Sequence, residues 1–139
     1  MHDEQIVGKR ALIVEDEVLI AEELNERLSR IGFSVIAAVG SADEGVEIAT
    51  RERPDLVLMD IRLKGKKDGI EAATEIRRQI DVPIVYLTAH SDRNTVERAK
   101  GTDHDGFVLK PFRGQELSTT IRVALQRYAI RTAREEQCG

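Results

Sequence analysis

The chain has 139 residues, enough for one compact domain, and its 21 Lys and Arg against 25 Asp and Glu give a formal net charge of −4. This acidic balance excludes a strongly basic nucleic-acid surface, and the single cysteine excludes an intramolecular disulfide or a cysteine-based zinc site. The apolar runs are far shorter than the roughly 20 residues that span a bilayer. The N-terminus is polar and acidic, unlike a signal peptide, so we expect a cytoplasmic domain that contacts neither membrane nor nucleic acid.

Short apolar runs alternate with amphipathic segments along the chain. The runs are rich in Val and Ile and lack alternating polar positions, which is typical of strands covered on both faces. They comprise residues 11–14, 35–39, 56–59, 84–87 and 107–109. Between the runs, apolar residues recur every three or four positions, which predicts helices. The predicted helices comprise residues 21–31, 42–52, 70–80 and about 115–137, with a weaker pattern over residues 92–100.

Local signals agree with these helix boundaries. Residues 41–44 have the sequence of a capping box and residues 68–71 that of a close relative, so both segments predict helix starts. Gly32 stands where the first helix is expected to end.

Alternating strands and helices predict an α/β fold, in which a parallel sheet with right-handed crossovers carries helices on both faces. Ligands bind such sheets outside the carboxyl ends of the strands, near the switch point in strand order. Every run except the second is followed there by a side chain that can do chemistry. The second strand therefore suits an outer position, which matches the order 2-1-3-4-5 with the crevice between strands one and three.

The polar residues at this edge form a set with a clear chemical meaning. Glu15 and Asp16 follow the first run, Asp60 the third, Thr88 the fourth and Lys110 the fifth. Three carboxylates this close repel one another unless a hard cation joins them, and an all-oxygen donor set suits Mg²⁺. With a lysine and a hydroxyl added, the set is equipped to hold a phosphoryl group, and a central carboxylate can act as its nucleophile.

The segments that contain these residues resemble the receiver domain of two-component response regulators. The resemblance covers about residues 9–126 and implies a flavodoxin-like, doubly wound, five-stranded sheet. It is carried by Ile13-Val14-Glu15-Asp16-Glu17, Leu56-Val57-Leu58-Met59-Asp60, Leu87-Thr88-Ala89 and Phe107-Val108-Leu109-Lys110-Pro111-Phe112.

The resemblance implies a role for each residue of the set. Asp60 is the phospho-acceptor and joins Glu15, Asp16 and the backbone carbonyl of Arg62 in holding Mg²⁺, Asp16 directly and Glu15 partly through water. Lys110 pairs with the phosphoryl group, and its peptide bond to Pro111 is the cis bond of the family.

Two further residues are implied as the switch. The hydroxyl of Thr88 bonds a phosphoryl oxygen, and Phe107 turns inward when Thr88 moves. This change repacks the surface made by the helix predicted over residues 92–100, the fifth strand and the last helix. A homodimer can form through this surface.

The implied partners are a histidine kinase or a histidine phosphotransfer protein, and the chain is a signalling switch rather than an enzyme. It promotes its own phosphorylation and its autodephosphorylation. We expect a single receiver domain over residues 1–139, with a core of about 9–126. Residues 127–139 then extend the last helix toward an output domain that does not fit in the chain.

Two features depart from the common pattern of the family. The acidic pair is Glu-Asp rather than the commoner Asp-Asp. The loop after Asp60 is longer than in most receivers, lacks their proline and contains three lysines within residues 64–67.

Three alternatives stay open. A pseudo-receiver keeps the fold as an interaction domain without phosphorylation. A flavin-binding protein of similar topology needs a hydroxyl- and glycine-rich phosphate loop where this chain has Glu15-Asp16-Glu17. A haloacid-dehalogenase-type phosphatase needs a second aspartate two residues after Asp60, where this chain has Arg62.

Overall fold

A computed structural model of the protein describes residues 5–89, 97 and 105–138, in which five strands and the helices given below follow one another along the chain. The helix predicted over residues 92–100 lies outside the described residues except for Glu97, which is helical. The elements are β1 (Arg10–Val14), α1 (Val18–Ile31), β2 (Ser34–Val39), α2 (Ala42–Glu52), β3 (Leu56–Asp60), α3 (Gly69–Gln79), β4 (Ile84–Ala89), β5 (Gly106–Lys110) and α4 (Gly114–Cys138).

The five strands form one parallel sheet in the order β2-β1-β3-β4-β5, which confirms the predicted order. The register of neighbouring strands decides which residues meet at the carboxyl edge. Asp60 pairs with Leu87 of β4, and Lys110 of β5 pairs with Ala89. The polar residues that follow β1, β3, β4 and β5 therefore end at the same edge, as expected for parallel strands.

The sheet separates two apolar layers because successive strand residues point to opposite faces. On one face Leu12 and Val14 pack with α2 and α3, and on the other Ala11 and Ile13 pack with α1 and α4. The central strands are buried on both faces as their sequences predict, whereas β2 keeps exposed positions because it lies at the edge.

The start of α3 is fixed by a complete capping box. The side chain of Asp68 accepts a hydrogen bond from the Glu71 N–H at 2.9 Å, and the Glu71 carboxylate accepts one from the Asp68 N–H. At α2 only half of the predicted box forms, because the Glu44 carboxylate accepts from the Ser41 hydroxyl instead of its backbone N–H. The first helix ends at Gly32 in the left-handed conformation, as predicted.

The last helix extends beyond the sheet, and ion pairs hold its distal part against the residues that precede β4 and β5. Asp105, whose side chain is 2% exposed, accepts hydrogen bonds from Arg77 of α3, from the Ile84 N–H and from Arg131. Arg131 also pairs with Asp81. The part of α4 beyond residue 126 therefore has its own contacts with the amino end of β4 and β5. Within the described residues, no helix has both the length and the apolar character needed to cross a membrane.

Candidate phosphoryl-acceptor site

Three carboxylates meet at the carboxyl edge of the sheet, where β1 and β3 lie side by side. One oxygen from each of Glu15, Asp16 and Asp60 lies within 4.8 Å of the others. Glu15 and Asp60 are buried, with 3% and 5% of their surface exposed, and Asp16 is half-buried. The structure thus brings together all three of the acidic residues that the sequence predicts as metal ligands.

Lys110 reaches into this cluster from the end of β5. Its Nζ lies 2.5 Å from Glu15 Oε1 and 3.2 Å from Asp60 Oδ2. Burial lowers the pKa of Lys110, but the hydrogen bond to Glu15 and the charges of Asp60 and Glu15 outweigh burial and raise it above its ordinary value. The ammonium group is therefore positively charged and neutralises part of the cluster. The peptide bond that follows Lys110 is cis, as the resemblance implies.

Burial and the neighbouring negative charge both act on Glu15. Burial and the neighbouring Asp60 carboxylate raise the pKa of Glu15 to about 7, although Lys110 and the Glu17 N–H act in the opposite direction. A divalent cation relieves this repulsion, and Mg²⁺ prefers carboxylate and carbonyl oxygens with several retained waters. The donor set therefore fits Mg²⁺ by its chemistry.

Backbone N–H groups orient the carboxylates. Glu15 Oε2 accepts from the Glu17 N–H, Asp60 Oδ1 from the Arg62 N–H and Asp16 Oδ2 from the Lys64 N–H, each at 3.2 Å. The Arg62 side chain is exposed, and the contribution of its carbonyl to a metal site stays a prediction.

Gly69 supports the site in a way that the sequence analysis missed. A Cβ at this position would lie 2.0 Å from the backbone oxygen of Asp60 and 2.9 Å from the Cα of Ile61, and the Gly69 N–H donates to the Ile61 carbonyl. The first turn of α3 therefore packs directly on the backbone of Asp60. The sequence marks Gly69 only as the first residue after a helix cap, and nothing local reveals this contact.

Thr88, Tyr86 and Phe107 share one face of the sheet, because Tyr86 lies two residues before Thr88 on β4 and pairs with Phe107 of β5. Thr88 is 2% exposed at the end of β4, one residue beyond Leu87, the register partner of Asp60. The half-buried Phe107 packs against Tyr86, with ring centroids 5.7 Å apart, in the layer that contains α2 and α3. This placement is compatible with the switch roles of Thr88 and Phe107, which stay predictions. The sequence analysis did not single out Tyr86.

A family model described as the response regulator receiver domain matches residues 11–122. The chain belongs to this family. The receiver domain is 41% identical over 129 residues to the transcriptional regulatory protein PdtaR of Mycobacterium tuberculosis, a match that covers 93% of this chain and 62% of that protein. The chain therefore spans less than two thirds of the length of this relative.

Solved structures agree with this assignment. The receiver domain is similar to the signal receiver domain of a modulated diguanylate cyclase from Desulfovibrio desulfuricans G20, with a TM-score of 0.83 and 32% identity over 89% of this chain and 98% of that chain. It is also similar to the N-terminal domain of a response regulator/sensory box/GGDEF 3-domain protein from Carboxydothermus hydrogenoformans, with a TM-score of 0.81 and 34% identity over 89% of this chain and 99% of that chain. The predicted flavodoxin-like receiver fold is thus confirmed, and the chain is a signalling domain.

Proposed function

We propose that this receiver domain takes a phosphoryl group from a histidine kinase or a histidine phosphotransfer protein onto Asp60, with Mg²⁺ bound. The observation that carries the proposal is the position of the Asp60 carboxylate. It contacts the Lys110 ammonium and lies within 4.8 Å of oxygens from Glu15 and Asp16. This arrangement supports the proposal, because a candidate nucleophile, a cation and three candidate metal ligands lie together.

The two carboxylate oxygens of Asp60 have different partners. Oδ1 is held by the Arg62 N–H, which leaves Oδ2, beside Lys110, to form the bond to phosphorus. As that bond forms, the P–N bond of phosphohistidine breaks and its electron pair goes to the imidazole nitrogen of the donor. Lys110 and the Thr88 hydroxyl then donate hydrogen bonds to phosphoryl oxygens.

The metal would be held by the carboxylates of Glu15, Asp16 and Asp60 and by the backbone carbonyl of Arg62. When bound, Mg²⁺ neutralises charge on the transferring phosphoryl oxygens. Backbone N–H groups hold one oxygen of each of these carboxylates and so keep the ligands oriented.

The new charge on Asp60 would draw Thr88 toward the site, and Phe107 would fill the space that Thr88 leaves. Tyr86 shares this face and packs against Phe107, so its ring would take part in the repacking. We propose that this repacking makes the domain a switch. We also propose that the domain promotes its own phosphorylation and its autodephosphorylation.

The output would be a change in binding. The candidate surface comprises the helix predicted over residues 92–100, β5 and α4, and a homodimer through it is one form of output. We further propose that residues 9–126 form the core and that residues 127–139 lead to a linked output domain. The continuation of α4 to Cys138, beyond the family match that ends at residue 122, supports this division.

Phosphorylation of the purified chain by acetyl phosphate and Mg²⁺ tests the proposal. We expect intact-protein mass spectrometry to detect one added phosphoryl group on the wild type and none on Asp60→Asn. The control is Glu136→Gln, the same change of carboxylate to amide at an exposed residue near the end of α4, away from the site, and it should be phosphorylated normally. No adduct on the wild type contradicts the proposal and favours a pseudo-receiver. An undiminished adduct on Asp60→Asn contradicts Asp60 as the acceptor.

A further inference from the structure

The loop between β3 and α3, residues 61–68, is built into the domain at several points. Ile61 and Leu63 are buried in the apolar layer beneath α2 and α3. The Lys64 N–H bonds the Asp16 carboxylate, and Lys67 pairs with Asp43 at 3.3 Å and with Glu75. The loop is therefore a fixed rim of the acidic site, because it is anchored in the core, on α2 and on α3.

The structure divides the three lysines of this rim into two kinds. Lys67 is engaged with Asp43 and Glu75, and these contacts raise its pKa above the ordinary value. Lys64 and Lys66 are exposed and flank Gly65, which has a positive φ of 109°. The turn at Gly65 thus presents two solvated ammonium groups on a loop whose backbone is fixed.

Lys64 stands close to the reacting carboxylate, and Lys66 follows two residues later on the same turn. The Lys64 N–H is 3.2 Å from Asp16 Oδ2, and Asp16 and Asp60 each place an oxygen within 4.8 Å of the other, so the backbone of Lys64 is no more than about 10 Å from Asp60. A solvated charge at this distance acts on an approaching ion at low ionic strength, because the Debye length is then longer than the separation.

The overall charge of the domain does not attract an anionic phosphodonor. The domain has a formal net charge of −4. At the site, three carboxylates balance the combined charge of Lys110 and a bound divalent cation. Lys64 and Lys66, together with the exposed Arg62, therefore supply positive potential beside the site, and fixed positive charge at a cleft raises the association rate of anions.

We propose that Lys64 and Lys66 are specificity-determining residues that draw anionic phosphodonors to Asp60 and favour doubly charged donors over singly charged ones. The inference rests on the proposed function of Asp60 as phospho-acceptor. The donors that Lys64 and Lys66 would favour are dianionic phosphoryl compounds, such as acyl phosphates.

Coulomb's law sets the size of the effect. If the two flexible side chains bring their ammonium groups to about 10 Å from a dianion in water, the attraction corresponds to a roughly fourfold rate at about 0.03 M ionic strength and roughly twofold at about 0.15 M. A singly charged donor should show only the square root of these factors, because the attraction scales with its charge.

The experiment compares Lys64→Gln/Lys66→Gln with the wild type under saturating Mg²⁺ at pH 7. The second-order rate of phosphorylation is measured by intact-protein mass spectrometry with acetyl phosphate, which is doubly charged, and with phosphoramidate, which is singly charged. The matched control is Arg30→Gln/Arg78→Gln, which removes two exposed cations from the ends of α1 and α3 that lie away from the site. Calorimetric titration with Mg²⁺ and thermal unfolding of each variant separate charge steering from loss of metal or of fold.

We expect the lysine variant to react about fourfold more slowly with acetyl phosphate at about 0.03 M ionic strength, about twofold more slowly with phosphoramidate, and at the wild-type rate near 1 M salt. An equal fall in the arginine control, or a fall that salt does not remove, overturns the inference while the proposed function stands. A wild type that takes up no phosphoryl group under any condition contradicts the proposed function and, with it, this inference.

Discussion

Substitution of Gly69 by alanine tests how the acceptor is supported by α3. The added Cβ would lie 2.0 Å from the Asp60 carbonyl oxygen, more than 1 Å inside an ordinary contact of about 3.5 Å. The atom in its way is backbone rather than a flexible side chain, so α3 or the end of β3 must move. Overpacking of this kind costs up to about 3 kcal/mol, and the higher helix propensity of alanine returns at most about 1 kcal/mol.

We therefore expect Gly69→Ala to lose about 2 kcal/mol of stability, which for a domain of this size lowers Tm by about 8 °C. Because the displaced atoms include the backbone of Asp60, the rate of phosphorylation by acetyl phosphate should fall as well. Thermal unfolding followed by circular dichroism and a mass-spectrometric time course measure the two effects.

Gly40→Ala is the matched control for this prediction. Gly40 also lies beside the site, but its Cβ would be 3.6 Å from the nearest atom, the Cα of Asp16, which is an ordinary contact. We expect this variant to keep its stability within about 0.5 kcal/mol of the wild type, as most substitutions do where no special contact is disturbed. If Gly69→Ala behaves like Gly40→Ala in both assays, the packing of α3 on Asp60 does not have the importance that the structure indicates.

Three further predictions concern charges. Lys110→Gln removes the cation that pairs with the buried carboxyl groups of Glu15 and Asp60. Urea unfolding in EDTA at pH 7 should therefore show a free energy of unfolding lower by about 3 kcal/mol, and millimolar Mg²⁺ should restore part of this loss. The pKa of Glu15 is raised from an ordinary 4.5 to about 7, so its contribution to stability is complete below pH 4.5 and is lost as the pH rises through 7. Without metal, stability should therefore fall from pH 5 to 8 with a slope of up to about 1.4 kcal/mol per pH unit, and Glu15→Gln should flatten the slope in urea unfolding. Arg131→Gln removes the contact of α4 with the buried Asp105, so amide hydrogen exchange over residues 128–138 should accelerate while β1 and β3 keep their protection.

Each of these predictions has an outcome that contradicts it. An equal effect of Mg²⁺ on wild type and Lys110→Gln means that lysine and metal do not share the same carboxylates. A slope that Glu15→Gln leaves unchanged, as the exposed Glu22→Gln control should, assigns the titration to other groups. Unchanged exchange at the end of α4 in Arg131→Gln means that Asp105 does not hold this segment.

The sequence predicts the sheet and the members of the site because both depend on local patterns. Apolar runs identify the strands, and the position directly after a parallel strand places Asp60, Thr88 and Lys110 at one edge without any knowledge of tertiary contacts. Once the strand order is known, Glu15 and Asp16 must lie next to Asp60, because β1 and β3 are neighbours.

Other features depend on approaches between distant parts of the chain, and no local pattern reports them. Asp105 meets Arg77 and Arg131, which are 28 and 26 residues away, and none of the three stands out in a charged sequence. The division of the basic loop into an engaged Lys67 and an exposed Lys64 and Lys66 likewise depends on where α2 and α3 place Asp43 and Glu75.

Chemical mapping of the phosphorylated residue tests the central claim most directly. The wild type is treated with acetyl phosphate and Mg²⁺, reduced with borohydride and digested, and the peptide that contains Asp60 is sequenced by tandem mass spectrometry. An acyl phosphate is reduced to the alcohol, so the account predicts homoserine at position 60 in the sample with Mg²⁺ and aspartate in the sample with EDTA. Homoserine at another position, or unmodified aspartate at position 60 despite Mg²⁺, would contradict it.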